Sequence, residues 1–246
     1  GRWVLFVRDG QIHRAPVDPN LTLSRRNNAK TQLFTVFGNN SAPVWSPDGS
    51  KIAFVSQRGD HSLIGIYDVD RRQVSYLSPN VDFDSNPTFS SDSSQIAFIR
   101  RPGSTFGQQV NGGRGGRGAG ADNPADGLNR AAFPGGYTLS FWVADVASGE
   151  GREFWHSQPG DNSFQPSGFE WAGGNVIFQA EPDNWRHHYS VPIPQSTVEA
   201  ESIYGHVYSS STPSGASTAE PTDLTPGEGI AEFVSVSPDG HYLFYT

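Results

Sequence analysis

The 246 residues contain no cysteine, so neither a disulfide nor a thiolate metal site can form. That absence does not by itself assign a compartment. Methionine is missing as well, so Gly1 is not a translation start, and the sequence predicts a processed product or an excised fragment. Nothing approaches the ~20 apolar residues of a membrane-crossing helix, and these residues include no signal peptide. No long apolar pattern of period 3.6 stands out either. Gly-x-Ser-x-Gly occurs nowhere, which excludes a nucleophile elbow within the chain. Basic residues are scarce in the second half. Residues 131–246 hold 2 basic and 14 acidic side chains, about −12, whereas residues 1–130 hold 15 and 11, about +4. An acidic half of this kind does not suit nucleic acid. It suits a solvated surface, or attraction of cationic groups.

What is abundant points to strands. Gly 28, Pro 18 and 12% aromatics suit many short strands with frequent turns. The stretch 43–54, PVWSPDGSKIAF, reads as strand, tight turn, strand. Ser46-Pro47-Asp48-Gly49 fits a type I turn, with Pro presetting φ, Asp accepting local N–H bonds and Gly favoured at the fourth place. The unit recurs as PTFSSDSSQIAF at 87–98 and VSVSPDGHYLFY at 234–245. Trp45 to Phe89 is 44 residues, close to the period of roughly 40–50 per propeller blade.

The order along the chain follows that ruler. Strands are expected at 3–7, 11–17 and 32–37, with Asp9-Gly10 as a hairpin turn. The next unit is complete: 43–45, 51–56, 63–69 and 73–77, four strands in a blade-sized span. A third opens at 87–89 and 95–99, is interrupted at 100–136 by a flexible Gly-rich insertion, and resumes at 139–146 and 152–156. A fourth has strands near 166–171, 175–179 and 188–191, with a long Ser- and Thr-rich loop over 195–222 and a short strand near 202–208. A fifth has only 232–236 and 241–245. The expectation is an all-β partial β-propeller of about four four-stranded antiparallel blades plus the first two strands of another. Residues 1–246 form a single propeller segment, divided near 1–40, 41–80, 84–158, 164–228 and 231–246.

Candidate chemistry is sparse. None of the seven His has metal-site spacing, and the adjacent His187 and His188 face opposite ways in a strand. Asp82-Phe83-Asp84-Ser85-Asn86 is similar to the start of a calcium loop, but Pro87 and Ser93 replace its Gly and Glu. No metal site or cofactor is therefore expected. GGRGGRG has two Arg and no interleaved aromatics, so it reads as a solvated loop rather than an RNA-binding segment. Asn20 and Asn39 begin sequons in form only. Glu181-Pro182-Asp183-Asn184-Trp185 is more informative. It follows the second strand of the fourth unit, at a strand end where propellers place binding groups. Glu181 and Asp183 beside Trp185 could hold an ammonium by charge and cation–π attraction, the structural alternative being a turn with a packed Trp.

The residues also carry a family likeness. SPDG-x-x-I-A-F resembles the propeller repeats of TolB-like proteins and of the prolyl oligopeptidase / dipeptidyl-peptidase IV family. FWVADVASGEGREFWHSQPGDNSFQP and FEWAGGNVIFQAEPDNWRHHYSVPIP resemble bacterial members of that peptidase family, as does LTPGEGIAEFVSVSPDGHYLFYT. The resemblance implies the N-terminal propeller region of a secreted or periplasmic serine peptidase. Such a propeller gates peptide substrates for a C-terminal α/β-hydrolase domain that carries the Ser, Asp and His. No catalytic residue is expected within these residues, and Glu181, Asp183 and Trp185 are the substrate-binding candidates. Two alternatives are a TolB-like protein-interaction propeller and a non-enzymatic assembly subunit whose open blades pair edges as a homo-oligomer.

Overall fold

A computed structural model describes residues 2–18, 31–103, 132–133, 135–161, 163–194, 216–227, 229, 235–237, 240 and 242–245. Among these there is no helix, and all regular structure is antiparallel sheet apart from two parallel bridges. Most of the 100–136 insertion and the strand expected near 202–208 lie outside the described residues.

The chain forms a partial propeller. β1 (Trp3–Arg8) and β2 (Gln11–Pro16) make a hairpin. β3 (Asn39–Trp45), β4 (Lys51–Gln57), β5 (Ser62–Asp68) and β6 (Gln73–Leu77) form one four-stranded meander. β7 (Phe83–Phe89), β8 (Gln95–Arg101), β9 (Ser140–Asp145) and β10 (Gly151–His156) form the next. β11 (Ser167–Ala172), β12 (Asn175–Ala180), β13 (His187–Pro192) and the short β14 (Thr222–Asp223) form a third, and β15 (Ser235–Val236) pairs with β16 (Leu243–Phe244).

Alternation along each strand sends side chains to both faces of a sheet, and both faces bury against neighbours. Ile52 and Phe54 pack on the first hairpin with Ile12, while Ala53 and Val55 face the β7–β10 sheet with Ile96 and Phe98. Ala97 and Ile99 face the other way, joining Phe141, Phe169, Phe178 and Tyr189 in the cluster shared with the β11–β14 sheet. The core is thus a series of layers between sheets. Phe54, Phe98, Phe141 and Phe178 are fully buried, each worth about 1.5–3 kcal/mol in apolar transfer.

The repeated turn is built alike each time. The Gly49 N–H donates to Ser46 O at 2.9 Å, the Ser46 hydroxyl to Asp48 Oδ1 at 2.6 Å, and the Lys51 N–H to Ser46 Oγ at 2.9 Å. Ser90-Ser91-Asp92-Ser93 repeats all three bonds, with Ser93 at φ 65 where Gly49 has φ 73. The first strand of each complete sheet is longer than the sequence predicts because its opening half is polar. Asn39–Trp45 and Phe83–Phe89 begin four residues before the apolar runs. Each also carries a bulge three residues before its Trp or Phe. The bulges fall at Ala42 (φ 47), Asn86 (φ 53) and Gly168 (φ 57), where the register shifts.

Two connections differ from expectation. The strand expected at 32–37 shrinks to a bridge between Gln32 and His13. Beyond Leu33 the Gln11 side chain takes over the pairing, its Oε1 accepting from the Val36 N–H and its Nε2 donating to Val36 O, each at 3.2 Å. In the long 195–222 connection, Ser217 forms a parallel bridge to Trp155, and the Trp155 indole N–H donates to Ala219 O at 2.8 Å. This segment covers the outer edge of β10, where an open strand would otherwise invite pairing with another chain.

Candidate functional site

The starts of β3, β7 and β11 and the ends of β4, β8 and β12 lie on one rim, because the first two strands of each sheet pair antiparallel. On this rim a cleft of about 360 Å3 opens where the chain enters β11 and where β12 turns into β13. Ser163, Gln165, Ser167, Gln179, Ala180, Glu181 and Arg186 line it. All of its lining residues except Ala180 carry a hydroxyl, an amide or a charge.

The β12–β13 turn explains how the charged pair arises. Asn184 takes φ 72, a left-handed conformation that Asn tolerates better than most residues. The Trp185 N–H then donates to Asp183 Oδ1 at 3.1 Å. The chain doubles back, and Arg186 Nε donates to Glu181 Oε1 at 2.9 Å. Both side chains stay half exposed, so the pair adds about 0–1 kcal/mol to stability. Arg186 has no other hydrogen bond among the described residues, so its two Nη groups have no partner there.

The three residues singled out from sequence are therefore neighbours with different surroundings. Glu181 lines the cleft. Asp183 does not; its Oδ2 lies 3.6 Å from His187 Nε2. Trp185 does not line it either, and its side chain is exposed. Arg186 was not singled out. The signal for it was an Asn able to turn the chain left-handed between an acid and a base.

Behind the cleft, His187 and His188 are both buried. His187 Nδ1–H donates to Thr225 O at 2.7 Å, and Asp223 Oδ2 lies 3.7 Å from the same nitrogen. His188 Nε2 accepts from the Gln179 amide at 2.9 Å, which ties the cleft wall to the sheet. Burial, reinforced by His187 and Arg186, pushes the His188 pKa down, so this ring stays neutral and acts as an acceptor. Among the described residues no group of three or more His, Asp or Glu could hold a metal ion.

The neighbouring sheet carries a second polar concentration on this rim. Asp84, fully buried, accepts from Arg100 Nε at 2.7 Å and Nη2 at 3.0 Å. Arg100 Nη2 also donates to Ser78 O at 2.8 Å, and the guanidinium lies 4.1 Å from the Trp142 ring centroid. Burial pushes the Asp84 carboxyl up to about 6, against the pull of Arg100. Beside it, the Tyr137 hydroxyl donates to Glu153 Oε2 at 3.0 Å, and the Tyr137 ring stacks on His156 at 4.0 Å. Burial also raises the Glu153 pKa. These groups are enclosed, whereas the Glu181–Arg186 pair faces open space.

No family model matches this chain, and no curated protein sequence matches it. Solved structures do. TolB from Acinetobacter baumannii superposes with a TM-score of 0.56 at 14% identity, over 100% of this chain and 46% of that one. A structure described as a TolB of Agrobacterium tumefaciens gives 0.56 at 12% identity, over 100% of this chain and 65% of that one. A structure described as a dipeptidyl aminopeptidase IV of Bacteroides ovatus gives 0.47 at 12% identity, over 94% and 33%. The chain spans less than two thirds of the length of each. At these identities the first two show the fold, a propeller. Among the described residues no helix is long and apolar enough to cross a membrane.

Proposed function

We propose that this chain is the non-catalytic propeller portion of a periplasmic or secreted serine peptidase of the dipeptidyl-peptidase IV kind, residues 1–246 forming one propeller segment. In this reading it gates and selects short peptides for an α/β-hydrolase domain of the parent protein. The observation that carries it is the polar rim cleft with Glu181 on its wall. A carboxylate at a strand end, next to hydroxyl and amide groups, matches the needs of a peptide amine and main chain. Asp183 and the exposed Trp185 stand on the same turn and extend the anionic, aromatic surface that a cationic end would approach. The sequence likeness of the stretches around Phe141–His156 and Phe169–Pro194 to bacterial peptidases of that family supports the same reading.

The test is titration calorimetry of the chain with short peptides, paired with a hydrolysis assay. Peptides with a free amine are expected to bind, Glu181→Gln is expected to weaken them about tenfold, and aminoacyl-prolyl chromogenic substrates are expected to remain uncut. Turnover abolished by a serine-directed inhibitor would overturn the non-catalytic assignment. Binding of a folded protein but of no peptide would favour the TolB-like interaction propeller instead.

A further inference from the structure

The cleft holds a base as well as an acid, and the base is the less committed of the two. Arg186 spends only Nε on Glu181, leaving the planar Nη1/Nη2 edge without a protein partner among the described residues. A guanidinium held at Nε by a carboxylate is oriented rather than consumed. Its outer edge presents two parallel N–H groups, the geometry that fits a carboxylate bidentately. Around it stand Ser163, Ser167 and Gln179, which offer donors, and Gln179 is itself positioned by His188 at 2.9 Å. We propose that Arg186 is a specificity-determining residue that binds a carboxylate of the ligand, so that the cleft selects peptides bearing a carboxylate at that subsite. This deepens the peptide-selecting reading above and rests on it.

A free C-terminus and an acidic side chain share this chemistry, and three probes separate them. The full chain is titrated calorimetrically with Ala-Pro-Ala, with its C-terminal amide, and with Ala-Asp-Ala amide. Ala-Pro-Ala is expected to bind about tenfold more tightly than its amide. Arg186→Gln is expected to erase that difference and Arg186→Lys to keep part of it. Both variants change an exposed side chain, and an unaltered thermal midpoint confirms folding. If Ala-Asp-Ala amide binds as tightly as Ala-Pro-Ala, the subsite takes a side-chain carboxylate as well as the terminus. If it binds as weakly as the neutral amide while Ala-Pro-Ala binds tightly, the subsite takes the terminus alone. Equal binding of all three probes, or a difference that survives Arg186→Gln, overturns the role of Arg186 and leaves peptide selection standing. Binding of none of the three overturns both.

Discussion

The β3–β6 and β7–β10 sheets follow one plan and fill its innermost polar position in opposite ways. Five residues before Trp45 and Phe89 stand Asn40 and Asp84, and two residues after Phe54 and Phe98 stand Ser56 and Arg100. All four are buried. In the first sheet the position is neutral. The Asn40 amide donates to Gly10 O of the adjacent hairpin at 3.1 Å and to Gly38 O, just before its own strand, at 3.2 Å. In the second it is a bidentate ion pair, roofed by Trp142. The strand opposite matches each solution. Gly65 faces Phe54 where Trp142 faces Phe98, so at this strand position the second sheet has an aromatic face for Arg100. In the first sheet Arg58, donating from Nε to Ser56 Oγ at 3.1 Å, lies instead over the Tyr76 ring of β6. The same backbone thus accepts a neutral amide or a charge pair, provided every donor meets an acceptor.

Removing one half of the pair should show the largest effect. Asp84→Ala leaves Arg100 buried and uncompensated, and is expected to cost about 3–5 kcal/mol in urea unfolding. Transplanting the neighbouring solution, Asp84→Asn with Arg100→Ser, is expected to recover more than half of that loss. A single-variant cost below about 1 kcal/mol would mean that the pair is not the structural core of this rim. The pH dependence sharpens the point. Burial raises the folded-state pKa of Asp84 from 3.8 to about 6, so the folded chain holds this proton more tightly than the unfolded chain. Its contribution is therefore present below the unfolded pKa and is lost as pH rises through about 6. Asp48, in the exposed turn, does the reverse. The Ser46 hydroxyl, with Ser50, holds it at about 2, so its contribution is present above 3.8 and lost as pH falls through about 2. The thermal midpoint of the native chain should rise relative to that of the double variant as pH falls from 6 toward 4, and the two should stay parallel if Asp84 does not titrate there.

Next in size is the strand opposite. A Cβ on Gly65 would lie 2.4 Å from Phe54 Cζ, and that ring is fully buried against Phe34. Gly65→Ala is expected to cost about 1–3 kcal/mol by overpacking. An unchanged unfolding midpoint would show that Phe54 can move aside, and that the Gly–Trp exchange between the sheets is not forced by packing.

Much of this frame was legible from local chemistry. The turns at Ser46–Gly49 and Ser90–Ser93 and the apolar runs around Phe54 and Phe98 specify their strands without reference to anything distant. What was not legible depends on partners far along the chain. Asp84 and Arg100 are 16 residues apart, and only laying one unit over the next exposes them as the counterparts of Asn40 and Ser56. Gln11 displacing a strand at 32–37 is a side chain acting as backbone, which alternation cannot foresee. The rim carboxylate Glu181 was readable as a strand-end acid. Arg186 was not, because its approach to Glu181 needs the left-handed Asn184 between them.

The smallest effect concerns the bulge that opens each sheet. The position three residues before Trp45, Phe89 and Trp171 is left-handed in all three cases, and is filled by Ala42, Asn86 and Gly168. Gly enters this region freely and Asn at reduced cost, whereas an Ala Cβ crowds its own carbonyl by roughly 1–2 kcal/mol. Ala42 at φ 47 therefore bears strain that its two counterparts avoid. Ala42→Gly should relieve it, partly offset by the greater entropy of Gly in the unfolded chain, for a net gain of about 0.5–1 kcal/mol. Gly168→Ala should lose a similar amount. Equal and opposite shifts in the urea midpoint would establish that the bulge is one conserved backbone device with interchangeable residues. A loss on Ala42→Gly would mean that the Ala42 methyl contributes packing that outweighs its strain.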